Sequence, residues 1–206
     1  MNRTLLNWLA GVASMFVAHS APAEETIKVA VNIPLSGPFA NIGELYVNSA
    51  QFAIDDINAR GGVMGRKFEV VAFDNKNSPQ DALLVMKRIT DQQIPFMIQS
   101  GGSHVAVPLA DATARHNERN PDNRLLFLDE PGDQDLNNEK CNFWTFTFMA
   151  NAEVKMEALT NHLVQKKNIK HVYLFNQDYL FGQQVRKHAR EMLARKRPDG
   201  DPPCHP

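Results

Sequence analysis

The sequence predicts an α/β fold whose parallel sheet is covered by helices on both faces. One observation is that short apolar segments alternate with longer amphipathic segments of helical period, from about residue 27 to residue 196. Another is that the early short segments are rich in apolar, β-branched residues, as strands buried on both faces are. Parallel strands bring their carboxyl ends, and with them any ligand site, to one edge of the sheet.

Six segments are predicted to be strands. Ile27–Ile33 is rich in β-branched residues and stops at Pro34, which cannot donate to a sheet ladder. The segment 143–148 alternates in strand fashion and is either an edge strand or a crossover between domains. The other predicted strands are 68–73, 94–98, 124–128 and 171–175.

Amphipathic segments between the strands predict the helices. In the segment 43–60 apolar residues recur at helical spacing, and Gly61 follows as a stop signal. Ser78 can cap the next helix, with Pro79 in its first position. The remaining predicted helices are 104–117, 154–164 and 182–195.

The two ends of the chain differ from its body. A positive start, an apolar run and the small-residue pattern Ala21-Pro22-Ala23 predict a signal peptide over 1–23. The apolar run is shorter than a membrane span, and an N-terminal anchor helix is the alternative interpretation. No cysteine lies near the cleavage site, so we expect an exported soluble protein without a lipid anchor. Prolines crowd the segment 198–206, which predicts a disordered, non-native tail.

Charge and cysteine content argue against several classes of protein. The chain has 22 basic and 23 acidic residues, a formal net charge of −1, and no basic block of the kind that binds nucleic acid. Cys141 and Cys204 are too few for a disulfide scaffold, and no Cys or His cluster has zinc-site spacing. The dinucleotide-binding motif GxGxxG is absent, and so is the nucleoside-triphosphate motif GxxxxGK(S/T). We therefore expect no cofactor and no metal.

The loop 99–103 (QSGGS) is the strongest candidate for ligand binding. It follows a predicted strand, and its two glycines let the backbone approach a ligand closely. Ser103 stands at a helix N-terminus, where free N–H groups and the helix dipole favour an anion such as an α-carboxylate. Gly102 and His104 flank it in the sequence. The alternative is that Ser103 only caps its helix.

Two further loops supply acidic and aromatic candidates. Asp129 and Glu130 can hold a ligand ammonium or act as an acid–base pair, or they belong to a solvated turn. Tyr179 and Phe181 follow a later strand and either cover a ligand or pack their own loop. The histidines are scattered and no nucleophile motif occurs, so no catalytic site is predicted.

Three motifs in a fixed order carry a specific resemblance. They are the loop 36–43 (SGPFANIG), the run 53–65 (AIDDINARGGVMG) and the stretch 74–83 (DNKNSPQDAL). Over about residues 27–196 the chain resembles the periplasmic substrate-binding proteins of branched-chain amino-acid ABC transporters, which have the type I periplasmic-binding fold. The loop 176–182 (NQDYLFG) is similar to the aromatic loop of that family's second lobe.

The resemblance implies a hinged, monomeric periplasmic protein that is not an enzyme and that hands a small amino-acid-like ligand to a membrane permease. The N-terminal lobe would be 24–148, followed by an incomplete second α/β lobe over 149–197. We therefore expect a truncated chain with weak or absent ligand binding. By position in the family pattern, ligand contacts would come from Ser103, Ile42, Phe181 and the stretch 129–132 with Gly132.

Departures from the family pattern leave the ligand open. Ile42 stands where many relatives have an aromatic residue, and 129–132 is Asp-Glu-Pro-Gly in place of small and hydroxyl residues. Branched-chain amino acids, amides, urea-like molecules and other carboxylates are therefore all candidate ligands. The alternative functions are a ligand-sensing receptor lobe and an exported α/β hydrolase-like enzyme that uses Asp129 or Glu130.

Overall fold

The computed structural model describes residues 26–130 and 133–197, so the predicted signal peptide and tail lie outside the described residues. Five parallel strands form one sheet in the order β2-β1-β3-β4-β5. The strands are β1 Ile27–Ile33, β2 Phe68–Asp74, β3 Phe96–Gln99, β4 Leu126–Asp129 and β5 Thr145–Thr147. The helices are α1 Ala40–Ala59, α2 Pro79–Asp91, α3 Ser103–Arg119, α4 Gln134–Asn137, α5 Ala152–Gln165 and α6 Leu180–Lys196.

The predicted parallel sheet is confirmed. The strand β1 has the predicted bounds and lies between β2 and β3. Its residues 29–33 are all buried, so both faces of this strand are covered, as its content of β-branched residues indicates. The segment 143–148 contains an edge strand of the described sheet, because β5 pairs with β4 alone among the described strands.

The strands β3 and β4 each begin two residues later than predicted. Pro95 has no N–H for the ladder, and its carbonyl oxygen accepts from the Leu126 N–H over 2.8 Å. The backbone of Leu125 is tied to a helix: its N–H donates to Asn117 Oδ1, and its carbonyl accepts from Asn117 Nδ2, each over 2.8 Å. Since these groups are already bonded, the ladder starts beyond them.

Capping interactions set where several helices begin. The Ser78 hydroxyl accepts from the Asp81 N–H over 3.2 Å, with Pro79 first in α2, as predicted. The helix α1 begins at Ala40, earlier than predicted, because a short helical turn over Gly37–Phe39 leads directly into it. Asp133 Oδ1 accepts from the Asp135 N–H over 2.9 Å and starts α4, within a stretch predicted to be a loop.

The hydrophobic core lies in residues 27–148, which we call the sheet region. Met97 and Phe127 on the strands and Ile89 and Leu109 on the helices belong to it, and each is fully buried. The cluster of buried core residues extends from Ala30 to Leu136. From residues 149–197, which we call the helical segment, only the partly buried Leu180 packs against this core.

The predicted strand 171–175 is wrong. Tyr173 alone forms a β-bridge, and the side chains of Tyr173 and Phe175 are 78% and 102% exposed. A strand needs a neighbour for its N–H and C=O groups, and the described sheet ends at β5. The helices α5 and α6 instead pack against each other. None of the helices in the described part of the chain is long and apolar enough to cross a membrane.

Candidate ligand-binding pocket

A cavity of about 350 Å³ lies at the carboxyl ends of the parallel strands. The loops after β1, β3 and β4 contribute Pro34, Ser100 and Glu130 to its wall. The helical segment contributes Met149, Lys155, Gln177, Tyr179 and Phe181. This cavity, called the pocket below, is therefore shared by the two parts of the chain. It lies at the edge where open parallel sheets bind ligands.

Most of the predicted site residues meet in this pocket. Its wall includes Ile42, Gly102, Ser103, His104, Glu130, Tyr179 and Phe181. Asp129 is fully buried and does not line the pocket. With the Gln99 amide turned so that its nitrogen donates, that nitrogen lies 2.9 Å from Asp129 Oδ1. Gly132 lies outside the described residues.

The N-terminus of α3 forms one side of the pocket. Gly102 has φ 101°, a conformation that favours glycine, and an added Cβ would lie 3.0 Å from the His104 ring. The first hydrogen bond of the helix runs from the Val105 N–H to the Gly102 carbonyl, so the N–H groups of Ser103 and His104 precede the helical ladder. The positive end of the helix dipole is thus directed towards the pocket wall, which favours an anion there.

The Ser103 side chain is fully buried beside the Asp133 carboxylate. Among the described residues its hydroxyl has no hydrogen bond of standard geometry, yet it lies near enough to Asp133 to favour the ionised carboxylate. Burial nevertheless raises the pKa of Asp133 above its usual value, and the neighbouring charge of Asp135 adds to this effect. Asp133 Oδ2 also accepts from Gln184 Nε2 of α6 over 3.1 Å, so this carboxylate joins the sheet region to the helical segment.

Glu130 brings a negative charge to the pocket. Its Oε2 accepts from the Ser100 hydroxyl over 2.9 Å. Burial, and then the charge of Glu130, raise the pKa of Tyr179, so the phenol stays protonated as a hydrogen-bond donor. The Tyr179 ring lies 5.5 Å from the His104 ring, centroid to centroid. His104 Nε2 lies 3.3 Å from the Asn77 carbonyl oxygen, which suits the tautomer with the proton on Nε2.

Comparisons with known proteins agree with this architecture. The sequence pattern of the family described as periplasmic binding protein matches residues 26–200. The chain belongs to the periplasmic binding protein family. It is 29% identical over 181 residues to Leu/Ile/Val-binding protein homolog 4 of Brucella abortus, which aligns 85% of this chain with 44% of that protein. With the Leu/Ile/Val-binding protein of Escherichia coli it shares 35% identity over 103 residues, 50% of this chain and 28% of that protein.

Solved structures of periplasmic binding proteins have the same fold. One is the leucine-, isoleucine-, valine-, threonine- and alanine-binding protein of Brucella ovis, with a TM-score of 0.73, 26% identity, and coverage of 84% of this chain and 45% of that one. Another is LivJ of Streptococcus pneumoniae in complex with isoleucine, with a TM-score of 0.68, 25% identity, and coverage of 82% and 47%. The chain therefore spans less than half the length of these relatives.

The family and fold implied by the sequence motifs are thus confirmed, including the type I periplasmic-binding architecture. The family comprises substrate-binding proteins for transport, which is not a class of enzymes. Among the described residues no group of three His, Cys, Asp or Glu side chains could hold a metal ion.

Two glycines explain how this periplasmic binding protein positions side chains on both sides of the pocket. A Cβ on Gly43 would overlap the Pro34 carbonyl oxygen, and a Cβ on Gly182 would overlap the Gln177 carbonyl oxygen. Each helix therefore lies directly on the loop that precedes it, which only glycine permits. Ile42 and Phe181 each stand one residue before such a glycine and line the pocket.

Sequence reasoning missed two polar residues near the ligand site. Lys155 lines the pocket from the first turn of α5. Asp133 lies beside Ser103, and no role was predicted for it. The feature that could have indicated it is an aspartate at the N-cap of a short helix. Lys155 offered no comparable signal, because the orientation of α5 decides which of its residues reach the pocket.

Proposed function

We propose that this chain is the ligand-binding part of a solute-binding protein that captures a small amino-acid-like ligand for import by an ABC transporter. The observation that carries the proposal is the pocket, where a helix N-terminus with a buried serine meets aromatic and charged groups of the helical segment. The names of the relatives support it, since they are Leu/Ile/Val-binding proteins and one solved relative holds isoleucine.

The ligand carboxylate is assigned to the N-terminus of α3. Ser103 offers a buried hydroxyl without a standard hydrogen bond, and the N–H groups of Ser103 and His104 precede the helical ladder. A hydrogen bond to a charged group contributes about 1.5–3 kcal/mol. The ligand ammonium is assigned to Glu130, whose carboxylate is held at the pocket wall by Ser100.

The remaining pocket residues enclose the ligand. Ile42 provides an apolar side, and Phe181 and the protonated Tyr179 cover the ligand from the helical segment. Closure of the two parts around the ligand would move the Asp133–Gln184 contact, because this hydrogen bond joins them.

The cellular context is part of the same proposal. The signal peptide 1–23 would export the chain to the periplasm, where it acts as a monomer and docks on a membrane permease. The sheet region and the helical segment would be the N-terminal lobe and part of the second lobe. Affinity for free ligand is expected to be weak, about millimolar or a few-fold tighter, which corresponds to roughly −4 kcal/mol or slightly more.

A thermal-shift screen followed by calorimetry tests the proposal. We expect at least one amino acid or amide at millimolar concentration to raise the melting temperature of the chain. Ser103→Ala should weaken binding of that ligand about tenfold or more, since one charge-assisted hydrogen bond is lost. Ser49→Ala is the matched control, because the Ser49 hydroxyl bonds to the Leu45 carbonyl on the exposed face of α1. If no amino acid, amide or small carboxylate shifts the melting temperature, the proposal is wrong.

A further inference from the structure

Lys155 brings an ammonium group to the pocket without an acidic partner among the described residues. Its Nζ lies 5.1 Å from the centroid of the Phe181 ring and 3.1 Å from the Met149 sulfur. It forms none of the salt bridges found within residues 26–130 and 133–197. An exposed aromatic face contributes only about 0.5–1 kcal/mol to holding a cation, and a thioether sulfur is a weak acceptor. The positive charge is therefore held in place but not neutralised.

The position of Lys155 does not stabilise its own helix. It lies in the first turn of α5, whose N-terminus is capped by Asn151 Oδ1 accepting from the Val154 N–H over 2.9 Å. A cation near a helix N-terminus opposes the helix dipole and costs roughly 0.3–1 kcal/mol. The nearby carboxylate of Glu153 is instead bonded to Gln134 Nε2 over 3.0 Å. Neither helix formation nor an ion pair accounts for a lysine at this place.

Three groups in the pocket each favour a ligand group of a particular charge. The N-terminus of α3 at Ser103 favours an anion, Glu130 favours a cation, and Lys155 favours a second anion. Glu130 is bonded to Ser100 and forms no described salt bridge with Lys155, so the two charges do not cancel within the chain. A ligand with one carboxylate and one ammonium leaves Lys155 unpaired as the pocket loses water, which is unfavourable for a desolvated charge.

We infer that Lys155 is a specificity-determining residue and that the ligand is an acidic amino acid, whose side-chain carboxylate pairs with the Lys155 ammonium. This inference rests on the proposed function, because it assigns the third group of a ligand that Ser103 and Glu130 already hold. A pocket of about 350 Å³ is within the usual size range for such small ligands. The relatives named for branched-chain amino acids would differ from this chain in ligand charge.

Calorimetry with matched ligand pairs tests the inference on the full chain. L-glutamate and L-aspartate are compared with L-glutamine and L-asparagine, which have the same shape without the second charge, and with L-leucine. We expect the acids to bind about tenfold more tightly than their amides, or better, as one charge-assisted pair predicts. Lys155→Met should remove this preference for the acids over their amides, and Lys155→Arg should keep it.

A second lysine provides the control. Lys87→Met removes an exposed ammonium that pairs with Asp91 over 2.5 Å on α2, away from the pocket, and should leave both affinities unchanged. If wild-type protein binds glutamine or leucine at least as tightly as glutamate, the inference is wrong while the proposed function stands. If none of the five ligands binds, the inference is wrong, and the wider thermal-shift screen decides the proposed function separately. If Lys155→Met does not fold, the wild-type ligand series and Lys155→Arg decide.

Discussion

The sheet region and the helical segment share the same local arrangement of loop and helix, but they differ in strand pairing and in burial. In each, a loop precedes a helix that begins near a glycine packed on a loop carbonyl, at Gly43 and at Gly182. In the sheet region the preceding strand is β1, which pairs on both sides and is buried. In the helical segment the corresponding stretch 171–175 pairs with none of the described strands apart from the single bridge at Tyr173, and its residues alternate between exposed and half-buried. A strand-like sequence therefore becomes a strand only where other strands supply the pairing.

The difference extends to stability. The core cluster lies between Ala30 and Leu136, whereas the helical segment buries a small set of its own residues, including Ala189, Met192 and Leu193. Regions with few buried apolar contacts open at lower free energy than the core of the same protein. We therefore expect α5 and α6 to exchange their amide hydrogens faster than β1 and β3.

The largest expected effect comes from truncating a core residue of the sheet region. Phe127→Ala removes a fully buried side chain from β4 and should lower the free energy of unfolding by about 3–5 kcal/mol. Phe175→Ala removes the same ring from a fully exposed position and should change it by no more than about 0.5 kcal/mol. Urea titrations followed by circular dichroism measure both. Equal losses in the two variants would show that the segment 171–175 is packed in solution.

A smaller loss of stability is expected when a methyl group is added at Gly43 or at Gly182. Gly43→Ala places a methyl group on the Pro34 carbonyl and should cost about 1–3 kcal/mol through overpacking. Gly182→Ala creates the same clash with the Gln177 carbonyl, but it should mainly speed hydrogen exchange in α6. Exchange measured by mass spectrometry on both variants separates local from global opening. If Gly182→Ala also accelerates exchange throughout β1 and β3, the two parts unfold as one unit.

The smallest expected effect is a pH dependence at the junction of the two parts. Burial raises the pKa of Asp133 above 3.8, so the folded state binds its proton more tightly than the unfolded state does. Stability from this group is present below the unfolded pKa and is lost as pH rises through the folded pKa. Asp133→Asn keeps an acceptor for the Asp135 N–H without a charge to bury, and the amide nitrogen that replaces Oδ2 can donate to Gln184 Oε1 when the Gln184 amide turns.

Urea midpoints of wild type and Asp133→Asn, measured from about pH 4 to about pH 7, test this junction. The stability of the variant relative to wild type should increase with pH over that window. Asp122→Asn, at an exposed position beyond the end of α3, serves as a surface control and should show no comparable trend. A constant difference between Asp133→Asn and wild type across the range would mean that Asp133 titrates normally.

Much of the fold could be predicted because its determinants are local. The β-branched residues of β1 and the proline after it predicted its bounds, and Ser78 with Pro79 predicted the start of α2. The late start of β4 depends on Asn117 reaching Leu125, a contact that joins a helix to a strand and leaves no local pattern. The error at 171–175 has the same origin, since strand pairing is decided by other parts of the chain.

The site residues that could be predicted from the sequence are those whose positions are set by the local backbone. Ser103 and Gly102 follow from a glycine loop that leads into a helix. Asp129 and Glu130 are neighbours, yet alternation along a strand end buries the first and places the second at the pocket wall. Lys155 depends on how α5 is oriented against the sheet region, which no spacing in the sequence specifies.

The paired glycine contacts have a consequence for how the ligand range of this protein can evolve. Ile42 and Phe181 are placed by the close packing of the backbone next to them, and neither belongs to the hydrophobic core. Exchanging either side chain therefore alters the shape of the pocket without disturbing the scaffold that presents it. Selection can adjust these two positions freely, while Gly43 and Gly182 keep them at the same points in space.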